Sequence, residues 1–245
     1  AIPSAAGDYT IDYSCRFNPA DSPYLTFTPG SAGNRKTFTL SFWTKRSNLS
    51  LDYAFISVTS GSDDFLFRPN GANKMNLYNA GSSPNNSVVT STAGYIVDPT
   101  AWYHMVVSVD TTQAVDTNRA KLYLNGTQVT SLDASRTNYP AQDTEWQIGN
   151  TTAHYIGAGG AGSSNFYDGY LADFHYVNGL ALTPSSFAET NEDTNQWVPI
   201  KYTGAYGTNG FHLKFQDSAS LGDDSSGNGN DFTSSGLSAA DQMLD

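Results

Sequence analysis

The chain has 245 residues and carries 12 Lys+Arg against 23 Asp+Glu, a formal charge of −11. That surplus of acid argues against a nucleic-acid partner, which needs clustered Lys and Arg, and no apolar stretch approaches the ~20 residues of a membrane helix. Aromatics at 13% and 22 Gly are the usage of a β-rich protein with glycine turns, and aromatics spread from end to end argue against disorder.

The start, Ala1-Ile2-Pro3-Ser4-Ala5, has neither a basic n-region nor an apolar h-region, so no signal peptide is visible. A mature chain trimmed of one would look the same. Cys15, the single cysteine, has no partner for an internal disulfide and reads as a small hydrophobe near the start of a strand. Residues 37–44 alternate Phe38, Leu40 and Phe42 with hydroxyls, the period of a strand. The same period predicts shorter strands over 53–58, 64–68 and 75–78, and a longer one through Tyr103, Met105, Val107 and Val109. Residues 120–124 and 128–130 flank Asn125-Gly126, the strongest short hairpin signal. Further strands are predicted over 146–148, 167–176 and 211–215, and a flexible Gly-rich loop over 157–164. Thr183-Pro184-Ser185-Ser186-Phe187 predicts one helical turn, with Thr at the N-cap and Pro at the first helical position. Strands spaced by Gly/Ser/Asn turns point to a sandwich or barrel.

Taken together, the chain resembles a laminin-G-like domain of the concanavalin A-like lectin/glucanase superfamily. The resembling segments are 38–43, 102–110 (Trp102, His104, Asp110), 121–126, Ile148-Gly149, 167–176 and 224–231. The variant resembled most is found in tailed-phage virion proteins, where an opening like residues 2–7, a phrase like residues 179–187 and a closing Asp-Ser-Ser-Gly-Asn-Gly-Asn-Asp recur together. The resemblance implies an all-β jelly-roll sandwich of two antiparallel sheets forming one domain over 1–245. Residues 1–14 would be an N-terminal extension and 211–245 a strand and loop that close the sandwich. In most relatives the Asp-Ser-Ser-Gly segment lies near the start of the domain, so the order here looks circularly permuted, with residues 211–232 adding a strand beside the N-terminal one. The rival reading is that 211–245 begin a second, truncated module.

Asp223, Asp224, Ser226, Asn228 and Asn230 supply the oxygens that Ca²⁺ collects in sixes to eights, and the resemblance adds Asp173. The expected metal set is therefore Asp173, Asp224, Asn228 and Asn230 with Ca²⁺; the alternative is a tight Asx-rich turn that satisfies its own amides. Sugar binding would use aromatic faces beside amides and carboxylates. The candidates are Tyr139, Tyr155, Tyr167 and Trp197, with Tyr95 and His154 near similar loops; the alternative is tyrosines packed on their own sandwich. His104, His154, His175 and His212 show no i,i+2 or i,i+4 pair to fix a metal.

Retaining glycosidases need two carboxyls about 5–5.5 Å apart, and relatives carry them as Glu-x-Asp-x-x-Glu. Glu145, Glu189 and Glu192 belong to no such pattern, and no Gly-x-Ser-x-Gly appears. The expected function is a non-enzymatic phage virion component (tail fibre, spike or capsid decoration) that contacts other virion proteins and binds host glycans. The alternatives are a secreted bacterial carbohydrate-binding module and, far behind, a glycoside hydrolase. The expected location is the virion, with an extracellular alternative, and the expected assembly is a homo-oligomer, taken as a trimer.

Overall fold

The computed structural model describes residues 2–3, 9–50, 52–59, 65–70, 72–80 and 87–244. Residues 4–7 of the opening phrase and Asp64 of the predicted 64–68 strand lie outside the described residues. Strands dominate: β1 (Tyr13–Phe17), β2 (Tyr24–Phe27), β3 (Thr37–Arg46), β4 (Ile56–Val58), β5 (Phe65–Pro69), β6 (Lys74–Asn79), β7 (Ser87–Gly94), β8 (Tyr103–Asp110) and β9 (Ala120–Leu124). They continue with β10 (Thr127–Gln128), β11 (His154–Ile156), β12 (Gly169–Asn178), β13 (Ala188–Thr190), β14 (Trp197–Pro199), β15 (Phe211–Leu213), β16 (Thr233–Ser235) and β17 (Gln242–Leu244).

They form two antiparallel sheets and a small hairpin. The larger sheet runs β10-β9-β8-β3-β12-β1-β17, with β15 also paired to β12; the smaller runs β16-β2-β11-β4-β5-β6-β7; β13 and β14 make the hairpin. The expected two-sheet jelly-roll sandwich is therefore the fold. Period two explains it: Phe38, Leu40 and Phe42 of β3 and Met105, Val107 and Val109 of β8 meet Ile56, Val58, Phe65, Phe67 and Leu77 of the other sheet in one buried core. Asn125 and Gly126 both take positive φ, 46° and 81°, as a two-residue hairpin between β9 and β10 requires.

Three local expectations are corrected. Residues 146–148 are not a strand: Trp146 and Ile148 fill the core, but the backbone bonds Arg35 and the Asn79 side chain instead of a ladder. The 157–164 segment is a packed turn, closed by Gly159 N–H to Ser164 O at 2.8 Å, with the Phe17 ring where a Cβ on Gly157 would stand. The strand beside β1 is Gln242–Leu244, not one within 211–232; β15 pairs with the second half of β12, and β16 joins the other sheet beside β2.

Candidate functional site

A bulge in β12 organises the outer face of the larger sheet. Ala172 pairs with Trp43 and His175 with Ser41, so β12 spends one residue more than β3 between these points. Asp173 takes φ 48° there, a left-handed conformation that Asp tolerates better than most residues. The extra residue keeps Leu171, Phe174 and Tyr176 in the core and sends Asp173 and His175 outward. The bulge also marks where β1 stops pairing with β12, at Leu171, and β15 starts, at Phe174. In that register His175 lies directly opposite His212, and their rings stack at 3.9 Å.

Asp173 is the buried carboxylate of this layer, at 3% exposure. Its Oδ1 accepts from Tyr9 O–H and from His212 Nε2–H, both at 2.6 Å. His175 Nε2 lies 3.0 Å from Oδ2, too bent for a well-formed hydrogen bond, while its Nδ1 bonds the Tyr206 hydroxyl at 2.8 Å. Burial pushes the Asp173 pKa up, but the nearby charges of His175 and His212 and the hydrogen bond from His212 more than offset this and hold it well below the usual range. Burial lowers His212 to about 4, so its imidazole is neutral at neutral pH. Burial, then Asp173, holds Tyr9 and Tyr206 well above the usual tyrosine value, so both keep their protons.

A neighbouring pair looks like hydrolase chemistry and is not. Ser41 Oγ lies 2.8 Å from His104 Nε2, and Trp197 Nε1–H donates to His104 Nδ1 at 3.0 Å. The indole occupies the Nδ1 lone pair, so the neutral ring carries its proton on Nε2 and donates it to Ser41. A base that already donates to the hydroxyl cannot take its proton. Burial lowers His104 to about 3 and keeps it neutral.

Over this layer runs a strap, residues 179–206. Thr39 Oγ1 donates to Leu180 O and accepts from Leu182 N–H, both at 2.8 Å. The predicted helical turn is a 3₁₀ turn, Pro184–Ser186, with Thr183 at its N-cap. Ala188 packs with Trp43, Trp102 and Ala172 in a second apolar cluster, and Trp197 seats against Gly126, where a Cβ would come within 2.8 Å of the indole. Where the strap ends, a cleft of about 650 Å³ opens, lined by Tyr9, Tyr202, Tyr206, Thr208, His212, Ser226 and Asn228 among others. Tyr202 packs on Phe187 at 5.0 Å and edge-on to Tyr206 at 5.1 Å.

The sequence candidates scatter. Asp224, Asn228 and Asn230 share one loop, but Asp173 faces the histidines instead. Among the described residues, the His, Cys, Asp and Glu donor atoms that gather within 4.8 Å are those of Asp173, His175 and His212, without Asp224. Asp224 accepts from the N–H groups of His212, Ser226 and Asn230 and from the Ser226 hydroxyl. Asn228 and Asn230 donate to backbone carbonyls of residues 207, 208 and 210. The four residues therefore do not fit one Ca²⁺ cage, and the loop carries the bonding of an Asx-rich turn.

Of the aromatics, Tyr167 is a correction. It is wholly buried, with its hydroxyl against Thr44 Oγ1 at 2.6 Å, and has no face for a sugar. Trp197 is the strap's anchor. Tyr155 lies on β11 edge-on to Tyr24, and Tyr139 borders a separate recess of about 270 Å³. His154 is buried, accepting from Gly149 N–H. Glu145 pairs with Arg35, and Glu189 and Glu192 are exposed on and beside β13. Cys15 is buried, and burial raises its thiol well above the ordinary value. Sequence reasoning missed Tyr9, Tyr202 and Tyr206; the signal was Lys201-Tyr202-Thr203-Gly204-Ala205-Tyr206-Gly207, paired tyrosines in a Gly-rich loop.

A family model for the concanavalin A-like lectin/glucanases superfamily matches residues 19–188. No curated protein matches the chain in sequence. Among solved structures, the chain is similar to a candidate carbohydrate binding protein from Bacteroides ovatus, with a TM-score of 0.59 and 14% identity, over 96% of this chain and 60% of that one. It is also similar to a native heptameric SAP-like pentraxin from Limulus polyphemus, with a TM-score of 0.51 and 17% identity, over 72% of this chain and 80% of that one. A third likeness is to the receptor binding domain of a botulinum neurotoxin C/D mosaic serotype, with a TM-score of 0.50 and 12% identity, over 76% of this chain and 42% of that one. The chain thus spans less than two thirds of the Bacteroides protein and of the toxin domain. At these identities the likenesses carry the fold. With the family match covering most of its length, this chain belongs to the concanavalin A-like lectin/glucanases superfamily.

Proposed function

We propose that this chain is a non-enzymatic glycan-binding domain whose site is the cleft at the end of the strap, and that a tailed-phage particle carries it. The observation behind the first part is the cleft itself: about 650 Å³, with Tyr9, Tyr202 and Tyr206 beside Thr208, Ser226 and Asn228. Tyrosine rings offer apolar faces to the C–H groups of a sugar, while amides and hydroxyls orient its hydroxyls. The Bacteroides relative, a candidate carbohydrate binding protein, supports this reading. The carboxylates support the non-enzymatic reading: Glu145, Glu189 and Glu192 are exposed, and the buried carboxylate of Asp173 accepts from Tyr9 and His212. The test is a glycan array probed with the wild-type chain and with Tyr202→Ala. Retention of a defined glycan class by the wild type alone supports the site; no retention, or retention unchanged in the variant, overturns it.

The virion placement rests on the phrases at residues 179–187 and 224–231. Peptides of this chain in the protein inventory of purified particles would support it, and their absence would favour a secreted bacterial carbohydrate-binding module. The trimer is tested by light scattering, which should give three times 26.3 kDa.

A further inference from the structure

The same cleft has a charge balance opposite to that of the molecule. The chain holds 23 Asp+Glu against 12 Lys+Arg, yet among the described residues the cleft is lined by Lys201 and Lys214 and by no carboxylate. Elsewhere Arg35, Lys36, Arg68 and Lys74 each pair with an acid at 2.9–3.2 Å, and Lys45 lies over the Trp102 and Tyr170 rings. Lys201 and Lys214 form no ion pair among the described residues. Lys214 also borders a smaller pocket of about 70 Å³ that holds Asp12 and Asp173, and it is unpaired there too. It is half-buried and lies 5.9 Å from the centre of the Tyr9 ring, while Lys201 is exposed at the cleft's edge.

We infer that the ligand of this cleft is an anionic glycan, a sugar bearing carboxylate or sulfate, with its charge held by Lys201 and Lys214 and its rings held by the tyrosines. This rests on the glycan-binding reading above. A lysine ammonium is a point charge that serves either anion. In a recess with low-dielectric walls two unneutralised ammonium groups focus the local potential. The surrounding surface, net negative, repels an acidic polymer wherever it does not reach this recess, so the pair supplies orientation as well as attraction.

The test is isothermal titration of the full chain with matched oligosaccharides: a uronic-acid oligomer against its carboxyl-reduced counterpart, and a sulfated oligomer against its desulfated counterpart. The charged member of at least one pair should bind about tenfold or more tighter than the neutral one, and which pair does so identifies the anion. Lys201→Gln and Lys214→Gln should each erase most of that preference with an unchanged melting temperature, and Lys214→Arg should keep it. Raising salt from 0.1 to 1 M, which contracts the Debye length from about 10 to about 3 Å, should weaken the charged member selectively. Equal binding within both pairs would overturn the charge inference and leave the glycan site standing. No binding by any of the four would overturn both.

Discussion

On β3, Phe38, Leu40 and Phe42 face the interior between the sheets, whereas Thr39, Ser41 and Trp43 face the strap. Both rows are buried, but by different means. The inner row needs only shape: Phe42 stacks on Phe174 at 4.6 Å and meets Phe55 and Phe67. The outer row buries hydroxyls, imidazoles and a carboxylate, and a buried polar group costs stability unless it is paired. Hence Thr39 is tied to the strap, Ser41 to His104, His104 to Trp197, and Asp173 to Tyr9 and His212. The inner layer makes the fold, and the outer layer fixes the strap whose end forms the cleft.

Truncating the inner layer should have the largest effect. Phe174→Ala removes a fully buried ring and should cost about 3–5 kcal/mol, read from the urea unfolding midpoint at unchanged slope. A loss under 1 kcal/mol would mean that the stacked pair contributes little.

Acid should act next, through buried histidines. His104 and His154 have folded values of about 3 and about 4, against ~6.5 unfolded. A depressed folded value means that the unfolded chain binds more protons, so this stability is fully present above pH ~6.5 and is lost as pH falls toward the folded values. At pH 5 each should have lost about 2 kcal/mol relative to neutral pH. For a chain of this size the pair corresponds to a melting temperature lower by about 8–16 °C. Asp173, also depressed, acts in the same direction at lower pH. A melting temperature flat between pH 7 and 5 would contradict the neutral, buried imidazoles.

Asp173→Ala should have a smaller effect, because the bulge remains and what is lost is the acceptor for Tyr9 and His212. Leaving those donors unpaired should cost about 2–3 kcal/mol. If the strap depends on this layer, the variant should also admit protease cleavage within residues 179–206 before global unfolding. Cleavage no faster than in the wild type would separate the strap from the carboxylate.

The inner layer was legible in the sequence because it is periodic. Phe38-x-Leu40-x-Phe42 and Met105-x-Val107-x-Val109 state which side faces in, and Asn125-Gly126 states where the chain turns. Trp146 and Ile148 show the limit of that signal: apolar residues mark burial, but not whether the backbone pairs with a strand. The outer layer was mostly illegible. His175 and His212 meet through antiparallel register rather than through spacing along the chain, and the bulge that turns Asp173 outward leaves only a skipped beat between Leu171 and Phe174. Tyr167 and Tyr202 illustrate the same difficulty from opposite sides. Both sit near Gly-rich segments; one is sealed in the core and the other lines the cleft, and only tertiary packing distinguishes them.

The most direct test compares tyrosines inside and outside the cleft. Isothermal titration of the glycan selected on the array should show at least about tenfold weaker binding to Tyr202→Ala, as removal of an aromatic anchor worth more than about 1.4 kcal/mol implies. Tyr155→Ala, on the outer face of the smaller sheet, should bind as the wild type does. The opposite pattern, or equal affinity for all three proteins, would contradict the assignment of glycan binding to the cleft at the end of the strap.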